Sequence, residues 1–212
     1  MNTELTNATN PTEDASPEMN SAEEYQQVIG IMANIDWQKF HNLCKSIGND
    51  FNSPQWRFLK ATILEKAVAK YSNGMLRYVG EEERGCDFMI ESLNNVKVEM
   101  KYTEECLFGG KDKKLKKTTK QITLLNSRGT NTHANLPETY SDYLLVVEMN
   151  GAAIIRKEAL QEFVVSNGDS LSAKVPTDHM HIIFSPRDIN PTLPFEKMHI
   201  KEAILESIER AL

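Results

Sequence analysis

The residues whose types and spacing can do chemistry lie in one stretch, GCDFMIESLNNVKVEMKY, residues 85–102. Successive side chains of a β-strand point to opposite faces. In Val96-Lys97-Val98-Glu99-Met100-Lys101 the apolar residues Val96, Val98 and Met100 then face a core, and Lys97, Glu99 and Lys101 face the other way. Asp87 lies on the preceding segment. Between the two runs Ser92-Leu93-Asn94-Asn95, a stretch of hairpin-turn composition, can bring Asp87 beside Glu99. Neighbouring carboxylates repel each other unless a positive charge sits between them. Magnesium prefers oxygen ligands and keeps several waters, so two carboxylates and a substrate phosphate suit it. Lys101, two residues beyond Glu99 on the same face, can hold an attacking water or offset charge on a phosphorane-like transition state. The alternative is a solvated strand face on which Lys97, Glu99 and Lys101 make cross-strand charge pairs.

Helices and strands must bring these groups together. Residues 22–34 carry Tyr25, Val28, Ile29 and Met32 at helical spacing. Asp36 can cap a second short helix bearing Trp37, Phe40, Leu43 and Ile47, which Gly48 can end. Ser53-Pro54 is a helix start, and Trp56, Leu59, Ile63, Ala67 and Tyr71 then recur at helical spacing up to Ser72-Asn73-Gly74. Strands are predicted at 76–79, 86–90 and 96–102. Residues 118–126 fit strand or helix, and 127–137 read as a long polar loop. The apolar, β-branched run 143–149 reads as a central strand, and Asn150-Gly151 turns it into a partner at 152–155. A helix at 157–164, a strand at 179–184 and an amphipathic helix at 196–212 complete the pattern. The order predicts an α/β or α+β domain with a central mixed sheet flanked by helices.

Asp87, Glu99 and Lys101, spaced D-x11-E-M-K, resemble the signature of the PD-(D/E)xK nuclease superfamily, which includes most type II restriction endonucleases. Cys86 stands where that signature has proline. The resemblance covers roughly residues 54–149. It implies a restriction-endonuclease-like fold in which the first acid starts one strand of a hairpin and the E-x-K lies on the next. It implies Mg2+ held by Asp87 and Glu99, and hydrolysis of double-stranded DNA to 5′-phosphate ends. In many members a helix before the hairpin supplies another acid. Glu65 stands at that place. A site-specific enzyme of this kind implies a homodimer matching a palindromic site, with residues 22–47 and 196–212 as candidate interface helices. A repair or recombination nuclease with the same core, and a DNA-binding protein without catalysis, are the competing expectations.

Groups that could contact DNA follow the E-x-K. Lys111, Lys113, Lys114, Lys116, Lys117 and Lys120 form a dense basic run suited to phosphates. Gln121, Asn126, Arg128, Asn131 and Asn135 are types that read base edges. Both features also fit a solvated surface loop. His133 lies in the same polar segment. His179 and His181 share one face of a strand reading but lack evident partners for a metal.

The 212 residues, 40% of them hydrophobic, suit one domain over 22–212 behind a polar, acidic leader, 1–21, that reads as disordered. A net charge of -6 argues against generic DNA coating, though not against an enzyme with its cations gathered on one face. Cys44, Cys86 and Cys106 are odd in number and widely spaced. They suggest neither a disulfide framework nor a zinc site, and fit a reducing cytoplasm. No apolar run reaches the ~20 residues of a membrane span, and no signal peptide is recognisable.

Overall fold

In the computed structural model, the described residues are 21–47, 54–80, 82, 85–103, 122–126, 136–167 and 170–190. Three helices come first: α1 (Ser21–Ala33), α2 (Trp37–Ile47) and α3 (Pro54–Tyr71). Asp36 caps α2, its Oδ1 accepting the Lys39 N–H at 3.0 Å. Asn73 and Gly74, at φ 54° and 84°, end α3 in the left-handed conformation that glycine and asparagine tolerate.

The chain then enters strands β1 (Arg77–Tyr78), β2 (Phe88–Ile90) and β3 (Val96–Tyr102). Asn94 and Asn95 turn β2 into β3 with φ of 55° and 64°. Next come β4 (Ile122–Asn126), β5 (Tyr143–Glu148) and β6 (Gly151–Arg156), then helix α4 (Lys157–Gln161). Strands β7 (Val164–Asn167), β8 (Ser170–Ala173) and β9 (His181–Phe184) close the described chain.

The strands form a six-stranded sheet, β1-β2-β3-β5-β6-β9, and a three-stranded one, β4-β8-β7. In the large sheet β3 and β5 are parallel, and the other neighbours pair antiparallel. Both faces of the large sheet are covered. Val98, Met100, Leu145, Val147 and Ile154 join Val28, Met32, Phe40, Leu64 and Val68 in one core under the helices. Leu144, Val146, Ala153 and Ile155 join Ile122, Leu160, Leu171 and Ala173 in a second core on the opposite face. β5 is buried at every residue, the pattern of a strand covered on both sides.

The structure thus has the mixed α/β architecture that the sequence predicts, and β3 occupies the predicted span. Some details differ or are decided only by the structure. The helix at 157–164 stops at Gln161, and Val164 instead opens β7, because Val164 and Val165 pair with Ala173 and Ser172. The segment 118–126, open between helix and strand, is a strand at Ile122–Asn126. The small sheet itself is new. The helix at 196–212, the leader 1–20 and the basic and polar segments 104–121 and 127–135 lie outside the described residues. Among the described residues, no helix is long and apolar enough to cross a membrane.

Candidate active site

The site forms where β2 falls short of β3. β2 pairs with β3 only as far as Phe88 opposite Val98. Beyond that point Asp87 takes over the role of a strand. Its N–H donates to the Val98 carbonyl at 3.0 Å, and its Oδ2 accepts the Met100 N–H at 2.7 Å. The side chain satisfies a ladder position and is fixed next to Glu99. Past Val98, β5 is the strand partner of β3 among the described residues, with Glu99 level with Leu144 and Lys101 with Val146.

The alternation expected along β3 is present, with Lys97 and Lys101 partly exposed on its polar face, but Glu99 is not solvated. Glu99 is 8% exposed. Lys101 donates from Nζ to Glu99 Oε1. Burying an ionised carboxylate without a partner is costly, so the lysine and whatever else neutralises Glu99 are part of the architecture. The solvated-face alternative is therefore set aside for Glu99.

Glu65 arrives from α3. Its Oε2 accepts the Tyr78 hydroxyl at 3.3 Å. Burial raises its pKa, against the pull of the Tyr78 hydroxyl and Lys101, and the charge on Glu99 adds to the rise. Asp87 is affected more strongly. Burial first, then the charges on Glu99 and Glu65, push its carboxyl up to about 7, against the Met100 N–H and Lys101. Asp87, Glu99 and Glu65 therefore share one electrostatic neighbourhood, with Lys101 as its cation. The structure brings these four predicted residues together.

A loop over 136–142 braces the site. Ser141 donates from Oγ to the Gly85 carbonyl, and Lys157 Nζ donates to the carbonyls of Glu138 and Tyr140 at 2.8 and 2.9 Å. Gly85 has φ 85°, and a Cβ there would come 3.2 Å from the Thr139 carbonyl oxygen, so glycine allows the close approach two residues before Asp87. The same loop buries Tyr140 to 3% exposure, and its hydroxyl has no hydrogen-bond partner among the described residues. Burial, then the charges on Glu99 and Asp87, raise the Tyr140 pKa, so its hydroxyl lies within their field. Sequence reading missed Tyr140, for an aromatic at the end of a polar loop carries no periodic signal.

Beside the carboxylates, an open cleft of about 410 Å³ runs between α3 and the end of β3, bordered by Glu65, Lys101, Tyr102 and Thr103. Asp87 and Glu99 fit Mg2+ by their chemistry, offering two oxygen donors whose mutual repulsion a cation would relieve. Among the described residues no group of three His, Cys, Asp or Glu side chains is arranged to hold a metal ion by itself. Magnesium often takes only one or two carboxylates and completes its shell with water and phosphate.

Of the other candidates, some fall among the described residues and the rest lie outside them. Asn126 is the last residue of β4, paired with Ser170 in the small sheet. Lys111, Lys113, Lys114, Lys116, Lys117, Lys120, Gln121, Arg128, Asn131, His133 and Asn135 lie outside the described residues. His179 falls in a 3-10 turn rather than on a strand with His181. It packs edge-on against Phe163, ring centroids 4.8 Å apart, while His181 meets Tyr25. Cys44 and Cys86 are buried free thiols. Burial raises the Cys44 thiol to about 12, leaving it unreactive.

Comparison with protein-family models, with curated proteins and with solved structures finds no match to this chain.

Proposed function

We propose that this protein is a Mg2+-dependent DNA endonuclease of the PD-(D/E)xK type, working as a site-specific restriction enzyme. The observation that carries this reading is the convergence of Asp87, Glu99, Lys101 and Glu65 where β2 gives way to the open end of β3. A hairpin, a strand and a preceding helix contribute these residues, the arrangement the motif resemblance implies. Carboxylates gathered at one buried corner repel each other, and such an arrangement belongs more often to a functional site than to a scaffold.

In this reading Asp87 and Glu99 hold the ion, which when bound supplies Lewis acidity and a more acidic water. Lys101 sits beside Glu99 and can orient a water or offset charge on the phosphate oxygens. Glu65, raised in pKa, can accept a hydrogen bond from that water or from the ion's hydration shell. Double-stranded DNA is the proposed substrate. A two-fold homodimer is the proposed working form, because cutting both strands at a symmetric site needs two such centres. The apolar stripes of α1 and α2 are already used in the protein's own core, so an interface on these helices would use their other faces.

The test is incubation of the purified protein with plasmid and phage DNA in magnesium and in EDTA, alongside Glu99→Ala and Lys101→Ala. Discrete fragments that need magnesium are expected, with each variant slower by on the order of 100-fold or more. A magnesium-dependent smear that the variants abolish would keep the site and point to a repair or recombination nuclease. DNA left intact under all conditions, or cut equally by the variants, refutes the assignment.

A further inference from the structure

The cleft beside the carboxylates has a second wall that the motif does not mention. On α3, Arg57, Lys60, Ala61 and Glu65 fall on one helical face and line it, opposite Lys101 and Tyr102 of β3. The wall's cations stand in order along the helix, one turn apart, leading away from Glu65. Ala61, next to Lys60 on the Glu65 side, is small and leaves room. The lining carries three cations, Arg57, Lys60 and Lys101, against one carboxylate, Glu65, in a chain whose net charge is -6. A concave surface whose charge opposes that of the whole molecule focuses its field on anions.

The two cations are built differently. Lys60 is 9% exposed, and its Nζ lies 4.9 Å from the centroid of the Tyr102 ring. Its head is thereby positioned before any ligand arrives. Arg57 is exposed at the mouth, where its planar fork can meet two oxygens of a phosphate at once. The volume of about 410 Å³ lies in the range of small-ligand sites and admits a nucleotide-sized unit rather than a duplex.

We propose that this cleft is a phosphodiester-binding subsite: Arg57 and Lys60 grip a backbone phosphate of the same DNA strand, next to the phosphate presented to Asp87, Glu99 and Lys101. The proposal rests on the nuclease reading for its choice of ligand. It assigns α3 a role in binding as well as in supplying Glu65. Holding the neighbouring phosphate fixes the register of the strand against the carboxylates, which is what phosphate contacts do.

The experiment is fluorescence anisotropy with a short labelled DNA duplex, in calcium instead of magnesium, at several salt concentrations. The variants are Arg57→Glu, Arg57→Lys and Lys60→Met. Arg57 is exposed, so its variants are expected to melt as the wild type does. They keep the proposal open to refutation even if Lys60→Met fails to fold. Arg57→Glu is expected to weaken binding at least about tenfold, since a charge-assisted bond becomes a repulsion. It should also lower the slope of log affinity against log salt by about one, the loss of one phosphate contact at ~0.9 each. Arg57→Lys should fall between, having the charge but not the fork. Wild-type affinity and slope in Arg57→Glu would overturn the subsite, and would leave the nuclease reading standing if that variant still cuts DNA. Loss of binding in Arg57→Glu by a wild type that binds but never cuts would support the subsite and refute the hydrolysis. A wild type that binds no DNA refutes both.

Discussion

Replacing Asp87 by Asn should make the protein more stable and inactive at once. In the metal-free protein the Asp87 carboxyl is pushed from its ordinary 3.8 up to about 7, by burial and by Glu99 and Glu65. A carboxyl raised in the folded state favours folding in full below its unfolded pKa, and that contribution is lost as pH rises through the folded value. The wild type is therefore relieved of the repulsion near pH 4 and carries it in full above pH 7. A rise of about three pH units at about 1.36 kcal/mol each sets a ceiling of about 4 kcal/mol. Asp87 is not sealed from solvent, and its proton is shared electrostatically with two other acids. A gain of roughly 1–3 kcal/mol for Asp87→Asn at pH 8 is the reasonable expectation. The asparagine Oδ1 can still accept the Met100 N–H, so the ladder is kept. Urea denaturation in EDTA at pH 4.5, 6 and 8 measures it. The variant's advantage should grow with pH and correspond to roughly 3–9 °C in melting temperature at pH 8. Magnesium at ten times its dissociation constant should return about 1.4 kcal/mol to the wild type and nothing to the variant. An Asp87→Asn protein that is less stable at pH 8, or that gains equally at every pH, would falsify the electrostatic reasoning behind the site.

Other expectations are simpler to check. Tyr140→Phe removes a buried hydroxyl that bonds nothing among the described residues, so thermal unfolding should show no loss, or a gain of up to about 1 kcal/mol. A loss above that would mean the hydroxyl has a partner in solution. Gly85→Ala should destabilise by about 1–2 kcal/mol, from the positive φ and the approach to the Thr139 carbonyl, and magnesium binding followed by calorimetry should weaken because the turn carries Asp87. Asp36→Ala removes the α2 cap and should cost about 0.5–2 kcal/mol in denaturant at pH 7. The Asp36 pKa lies below its ordinary value: burial works against this, but the bonds and charge of Lys39 outweigh it. That stability is present above the unfolded pKa, and the variant's deficit should shrink as pH falls through the folded one.

How much was legible in the sequence depended on whether one segment carried the signal by itself. β3 was legible because its valines and Met100 alternate with charged residues, and because Asn94-Asn95 announces the turn before it. β5 and β6 were legible for a related reason, a β-branched run broken by Asn150-Gly151. The small sheet was not. β4 and β8 pair across more than forty residues of chain, and neither strand is apolar enough to stand out without its partner. Val164 reads as helix because the helical pattern from Lys157 runs into it, while the pairing that makes it a strand lies on β8. The same limit applies to the site. Asp87, Glu99 and Lys101 lie on adjoining segments and could be placed relative to one another by counting. Arg57, Lys60 and Tyr140 come from a helix and a loop whose approach is set by packing, and spacing does not record packing.

The residues that could be counted are also those whose burial the fold resists. A strand that needed only to pair with β2 and β5 could carry threonine or valine where Glu99 is, and would gain apolar burial by it. Instead β2 stops at Phe88, Asp87 bends its side chain back to close the ladder at Met100, and a carboxylate is left 8% exposed on a strand end with one strand neighbour among the described residues. These departures fall together at one corner. Scattered departures would read as tolerated imperfections. Departures gathered around Asp87, Glu99 and Lys101 mark the place where stability has yielded to another requirement, and the stabilising effect expected of Asp87→Asn is the direct measure of it.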